Sequence, residues 1–291
     1  MIKSATHYPV SQLFDIESKV IYAIPRYQRE YSWGKYEWEE LFDDILENDE
    51  GYFLGSIICI NQSTDSLSDQ RLELIDGQQR LATLSLLFAA IFRILINHKV
   101  FLNEDQQSDV MNLKRKLVLK GPEEKTRLIL QIQNHNYDDY CAVLKEIGIL
   151  HNVQCPLYAG NRKIFRAYRY FQDRLERLMQ NGQNSIVTVI DFLKKVNQTG
   201  LVKIEVASHA DAYTLFESLN NRGVPLTAID LIKNKLLAKL DEHNPGTIDA
   251  YYAQWNQIIE NLGEDYTVQE RFFRQYYNAF KPKLKDIVNV P

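Results

Sequence analysis

A chain of 291 residues that is 45% hydrophobic and 25% charged has the composition of a globular protein, with enough material for one large core or two ordinary ones. Its 34 Lys and Arg stand against 38 Asp and Glu, a net charge of −4, which excludes a global electrostatic footprint for nucleic acid and leaves only a local patch. Cys59, Cys141 and Cys155 lack CxxC spacing and sit in apolar surroundings, which argues for a reducing cytoplasm over a disulfide framework or a zinc site.

Residues 1–7 have no signal-like apolar core. Lys19 to Ile24 reads as a short strand ended by Pro25, and residues 25–33 are aromatic and basic without a helical period. Trp38, Leu41, Phe42 and Ile45 have the spacing of an amphipathic helix over 36–46. Tyr52 to Ile60 is an almost unbroken apolar run holding Gly55, an interior strand, and the polar stretch 61–70 is a loop. Residues 71–75 read as a strand running into Asp76-Gly77. Leu81 to Ile96 then reads as a buried helix, because Thr83, Ser85 and Arg93 interrupt it and it is short for a bilayer; no membrane span is expected.

Beyond residue 100 the pattern turns mostly helical. Arg127 to Gln131 reads as one more strand. Over 161–179, Ile164, Tyr168, Phe171, Leu175 and Leu178 form one helical face, while Arg162, Lys163, Arg166, Arg169 and Arg177 form a charged back of the kind that is usually solvated. A helix over 185–196, a strand over 201–206, and helices over 210–219, 228–240, 251–262 and 269–280 follow. The fold class is α+β, with an α/β domain over 1–100 and a mostly helical domain over 101–291. Residues 281–291 carry no obvious cap, so the chain is expected to be a portion of something longer.

The chemistry concentrates at Asp76-Gly77-Gln78-Gln79-Arg80, between a strand and a helix. A helix start presents free backbone N–H groups and the positive end of a dipole, which suits an anion. Arg80 in the first turn opposes that dipole at a cost of about 0.3–1 kcal/mol. A bound phosphate offsets this, and a guanidinium offers it a planar fork of donors. Capping explains Asp76 and Gly77 equally well, since an Asp N-cap is worth about 1 kcal/mol; it leaves Gln78, Gln79 and Arg80 unexplained. A second polar cluster surrounds Asn220-Asn221-Arg222-Gly223. Gly223 fits near a helix C-terminus, and Thr227 with Asp230 fits a capping box. Asn220, Arg222 and Lys233 are left over, either as a second phosphate-facing wall or as ordinary surface. No GxxxxGK[ST], HExxH or GxSxG occurs. The six histidines have no ligand spacing, so no metal site is expected, and His135 between two asparagines reads as a polar turn.

Four segments occur in a fixed order: Ile24-Pro25-Arg26-Tyr27-Gln28-Arg29-Glu30-Tyr31-Ser32-Trp33, Phe53-Leu54-Gly55-Ser56-Ile57, Asp76-Gly77-Gln78-Gln79-Arg80-Leu81, and Leu219-Asn220-Asn221-Arg222-Gly223-Val224-Pro225-Leu226. Together they resemble the N-terminal domain of GmrSD-type, modification-dependent restriction endonucleases; Ala82, where a Thr is common, is the one departure noticed. The resemblance implies a ParB/sulfiredoxin-like α/β domain followed by a helical domain. It also implies binding and hydrolysis of a nucleoside triphosphate (GTP, UTP or ATP) with Mg²⁺, coupled to cytoplasmic defence against phage or other foreign DNA. Carried over by motif, Gln28 and Arg29 face the nucleotide together with Asp76, Gln78, Gln79 and Arg80, while Asn220, Arg222 and Lys233 are nucleotide-binding candidates only as the second polar cluster described above. Asp76, Gln79 and Arg80 form the catalytic set. Gly77 permits close backbone approach, Arg29 and Arg80 clamp phosphate, and Asp76 orients water, holds Mg²⁺ through water or simply caps.

Relatives continue into an HNH-type nuclease domain, so such a domain or a partner subunit is expected outside this sequence, and this chain is not expected to cut DNA. The alternative is a non-catalytic module that recognises modified DNA, with Arg26 and Tyr27 as its contacts. A third reading is a protein-interaction scaffold in which the turn only caps. Nothing in the sequence sets an oligomeric state.

Overall fold

The computed structural model describes residues 1–25, 28–63, 69–121, 124–131, 135–181, 186–208, 211–212, 215, 228–243, 248–263 and 265–280. Contacts divide the chain into two compact units, Met1–Leu219 and Asn220–Pro291.

The first unit is built on one mixed sheet. Its strands are β1 (Ile2–Pro9), β2 (Val20–Ala23), β3 (Phe53–Asn61), β4 (Gln70–Asp76), β5 (Leu128–Ile129) and β6 (Gly200–Val206). They lie in the order β1-β6-β3-β4-β2-β5. β1–β6 and β3–β4 are antiparallel, and the other three pairs are parallel. Parallel neighbours need crossover connections, and helices supply them. Because β6 sits between β1 and β3, the sheet draws on the chain as far as residue 206. Residues 72–75 of β4 and Ile57 to Ile60 of β3 are each buried in succession, as strands covered on both faces require. β1 is exposed over most of its length and pairs with β6 from Ile2 opposite Val206 to Pro9 opposite Gly200.

Among the described residues the unit's α-helices are α1 (Val10–Leu13), α2 (Lys35–Glu47), α3 (Gln78–Asn97), α4 (Glu104–Leu117), α5 (Asn136–Glu146), α6 (Lys163–Asn181) and α7 (Ile186–Gln198). α3 is the centre. It has the length and mean hydropathy of a membrane span, 1.6 over its most apolar window, but 83% of that window is buried inside the protein. α4, α5, α6 and α7 all pack on it. One apolar cluster runs from Tyr22, Ile57, Leu72 and Leu74 of the sheet through α3 to Tyr168 and Phe171 of α6. α4 begins with a capping box: Asn103 Oδ1 accepts from the Gln106 N–H at 2.9 Å, and Gln106 Oε1 accepts from the Asn103 N–H at 3.0 Å. His135 starts α5 in the left-handed region, with φ of 60°. Cys59 and Cys141 are buried as expected, but Cys155 is exposed, because it lies in the irregular connection before α6 and not in an apolar element.

The second unit contains α8 (Ala228–His243), α9 (Ile248–Leu262) and α10 (Tyr266–Phe280), which pack on one another. Trp255 of α9 stacks on Phe273 of α10 at 5.1 Å between centroids, and the Ala228 N–H donates to the Tyr266 hydroxyl at 2.8 Å. The helix expected over 210–219, and Thr227 as a cap, fall mostly outside the described residues.

Two cations are buried where α4 meets the connection between α1 and β2. Arg127 is 1% exposed and donates to the Arg115, Ile16 and Val20 carbonyls and to Ser18 Oγ. Lys116 is 7% exposed, and its Nζ donates to the Ser11 carbonyl at a long 3.5 Å. Burial, with Arg127 adding to it, pushes the Lys116 amine down from 10.5 to about 8. The folded chain therefore releases this proton near pH 8, whereas the unfolded chain holds it to about 10.5. The burial penalty is present in full below pH 8 and is relieved as pH rises towards 10.5. Lys116→Met is expected to raise the urea midpoint at pH 7 and to narrow its lead over the wild type as pH climbs; a difference that does not change with pH would refute the charge penalty.

Candidate functional site

β4 ends at Asp76, opposite Ile58 of β3, and α3 begins at Gln78. Gly77 joins them with φ of 83° and ψ of 9° and is itself the N-cap, without a side-chain capping bond. Asp76 is therefore not the cap that its residue type suggests, because β4 continues through it and holds it one position too early. Its carboxylate accepts from the Gly77 N–H instead. A Cβ on Gly77 would fall 2.5 Å from Ile57 Cγ2 and 3.1 Å from the Ser56 carbonyl oxygen. Both the left-handed backbone and the strand beneath demand glycine here.

Burial raises the Asp76 carboxyl above the usual carboxylate range, and the Gly77 N–H, Arg80 and Arg29 oppose that rise. Burial in turn lowers the Arg80 guanidinium, with Asp76 opposing. Arg80 Nη1 donates to the Ser56 carbonyl at 2.9 Å, and the guanidinium lies across Gly55, where a Cβ would meet Cζ and Nη2 at 3.0 Å. Gly55 has φ of 118° and falls where the β3–β6 register shifts. The glycine inside that apolar strand is thus the seat of the arginine, the close approach that a strand glycine can signal.

The segment 28–33 forms the facing wall. Gln28 Nε2 donates to the Ile75 carbonyl at 3.0 Å, next to the turn. Gln79 Oε1 accepts from the Ser32 N–H at 2.8 Å and the Trp33 N–H at 3.4 Å, and its Nε2 donates to the Glu30 carbonyl at 3.0 Å. One amide therefore satisfies three backbone groups of a segment that has no strand or helix to satisfy them. Further out, Gln131 Nε2 donates to the Gln28 and Arg29 carbonyls, Asn136 Oδ1 accepts from the Tyr31 N–H at 3.1 Å, and Lys163 Nζ donates to the Ser32 carbonyl at 3.0 Å. The Tyr31 hydroxyl accepts from Trp38 Nε1 at 2.8 Å and lies 2.7 Å from Thr83 Oγ1. Gln78 Oε1 and Ser32 Oγ are buried here without a hydrogen bond. Each such group costs about 1–3 kcal/mol.

The structure thus brings together Gln28, Arg29, Asp76, Gly77, Gln78, Gln79 and Arg80. Arg26, Tyr27, Asn220 and Arg222 lie outside the described residues, and Lys233 is buried on α8 of the second unit. Sequence reasoning passed over Ser32, Gln131, Asn136 and Lys163, whose parts depend on where distant elements arrive. Hollows of about 550 and 290 Å³ lie elsewhere in the first unit, and residues 76–80 line neither of them. Among the described residues no group of three or more His, Cys, Asp or Glu could hold a metal ion. Arg29 and Arg80 beside Asp76 bring positive charge to a helix N-terminus, which suits a phosphate. A divalent cation would meet one carboxylate with two arginines beside it, so it fits only when it arrives with phosphate oxygens.

Compared with known families, residues 10–237 match the model of the GmrSD restriction endonuclease N-terminal domain. No curated protein gives a match.

Two substitutions probe the turn. Gly77→Ala should lower stability by about 2 kcal/mol or more in urea unfolding, since it combines a left-handed φ with a backbone and side-chain collision. Gln79→Ala should speed hydrogen exchange at the Ser32 and Trp33 amides far more than elsewhere; unchanged protection there would mean that the amide does not hold the segment.

Proposed function

Because the chain belongs to the GmrSD restriction endonuclease N-terminal domain family, we propose that its 76–80 turn binds the phosphates of a nucleoside triphosphate. On this reading the chain hydrolyses the triphosphate as the regulatory module of a modification-dependent restriction protein. The observation that carries the reading is the placement of Arg29 and Arg80 about Asp76 at the start of α3, with Arg80 half-buried and bonded to a neutral carbonyl. A phosphate oxygen is a stronger partner for that guanidinium than Ser56 is. In a half-buried turn the attraction is also less screened than in open water.

Hydrolysis here would rest on positioning and charge. A water oxygen attacks the terminal phosphorus, the bond to the bridging oxygen breaks, and the diphosphate leaves with the electron pair. Arg29 and Arg80 stabilise the charge spread over the phosphoryl oxygens. Asp76, whose carboxyl burial raises, orients the water and takes its proton. Mg²⁺, when bound, would neutralise phosphate charge, with Asp76 reaching it through water. Gln28 and Gln79 hold the facing wall in place and so position the arginines without reacting. A nuclease partner, as a domain or a subunit, would then cut modified DNA in the cytoplasm under control of the nucleotide state.

The test is NTP binding and phosphate release with Mg²⁺, using GTP, UTP and ATP in turn, for wild type and Arg80→Ala. Binding is expected to weaken by about tenfold or more in the variant, the scale of one charge-assisted hydrogen bond. If the wild type binds none of the three, the phosphate reading fails. Steeply salt-dependent DNA binding that Arg26→Ala removes would then put recognition of modified DNA first.

A further inference from the structure

The hollow of about 290 Å³ lies between the α1 region, α4 and α7, away from the 76–80 turn, and no part of the proposed function uses it. Its size is at the lower end for small-molecule sites, which run from about 300 to 1,000 Å³. Lys116 lines it, more than nine-tenths buried, with its ammonium 5.8 Å from the centre of the Phe88 ring and one long bond to the Ser11 carbonyl. The charge beside it is Arg127, a second buried cation already bonded to three carbonyls and a hydroxyl. The negative group acting on Lys116 is Asp15, which is exposed. Asp109 of α4 also lines the hollow but is exposed like Asp15, and Lys194 of the lining pairs with Asp191, so no carboxylate on these walls is buried beside Lys116 and Arg127. A buried ammonium in that position is costly unless an anion pairs with it.

Two further features narrow the chemistry. Asn197 of α7 lines the same hollow, and its Oδ1 is buried without a hydrogen bond. A turn of that amide towards the hollow would let it accept from a donor. Leu113, Ile190 and Leu193 supply an aliphatic wall. We propose that this hollow is a binding site for a small organic acid. Its carboxylate pairs with Lys116, a hydroxyl or amino group donates to Asn197, and a short aliphatic body lies against Leu113, Ile190 and Leu193. The lowered Lys116 amine agrees with this, since a carboxylate would restore its proton affinity. The site does not depend on the triphosphate reading, and neither does its test.

The experiment is calorimetry on the full chain with three compounds: leucic acid, which has carboxylate, hydroxyl and isobutyl groups; isocaproic acid, which lacks the hydroxyl; and isohexanol, which lacks the carboxylate. Leucic acid is expected to bind saturably in the millimolar range or tighter, isocaproic acid more weakly, and isohexanol not at all. At pH 8 leucic acid binding should take up protons, seen as a dependence of the heat on the buffer's ionisation enthalpy. Lys116→Met should weaken leucic acid by about tenfold or more and abolish the proton uptake. Asn197→Leu should weaken leucic acid but leave isocaproic acid unchanged, which separates a lost contact from a lost fold. No saturable binding of leucic acid to the wild type below about 10 mM (a free energy near −3 kcal/mol) overturns the proposal. So does equal binding by Lys116→Met.

Discussion

A helix buried on every side has to be covered from every side, and that requirement organises residues 1–219. α3 has sheet residues beneath it in the core cluster and α4 to α7 around it. Each large apolar side chain that it buries stabilises the fold by about 1.5–3 kcal/mol. Its polar residues settle where the cover goes. Thr83 is met by the Tyr31 hydroxyl and Ser85 by the Tyr140 hydroxyl at 2.6 Å, so two tyrosines from different elements are pinned to opposite sides of one turn of the helix. The covering elements are therefore in register as well as in contact, because a slip would break both of these bonds.

The same burial gives the start of α3 its character. A helix that begins in solvent can satisfy its first N–H groups with water, whereas this one begins at the end of an interior strand. Two glycines make the approach possible. Gly77 turns the chain above Ile57, and Gly55 clears a place for the Arg80 guanidinium. The facing segment has no secondary structure of its own and is held by side chains from four directions: Gln79 of α3, Asn136 of α5, Lys163 of α6 and Gln131 near β5. An irregular backbone fixed in this way can carry ligand-binding groups at defined positions, which a free loop cannot.

What could be read from the chain depended on whether a residue's role lay in its own neighbourhood. α2, α3 and α6 were legible because their apolar spacing matches the faces that they bury. β1 was not, since Ile2 to Pro9 has no alternating pattern and becomes a strand by meeting the edge of β6. α4 was overlooked although Asn103 and Gln106 announce its start. At the turn, residue types and spacing marked 76–80 as chemically special, yet could not tell Gln79, bonded to residues 30, 32 and 33, from Arg80, bonded to β3. Both are polar residues in one helical turn, and only distant partners separate them. The charged back of α6 divides similarly: Arg162 pairs with Asp139, whereas Arg166 and Arg177 face solvent, and Arg174, which the sequence reading did not name, pairs with Asp43. Of the family assignment, the ordered segments carried the signal, and the match over 10–237 agrees with it.

The position of β6 has a consequence for how the chain is made. α3 is complete at residue 97, but β6, which closes the gap between β1 and β3, begins at residue 200, and α7, part of the cover of α3, ends at residue 198. During synthesis a stretch with the hydropathy of a membrane span therefore leaves the ribosome before its cover exists. Chaperones, or early packing of α4 and α5, have to shield it in the meantime. Fragments ending before residue 200 would keep the facing edges of β1 and β3 open, so proteolysis within the first unit yields sticky pieces and no smaller domain.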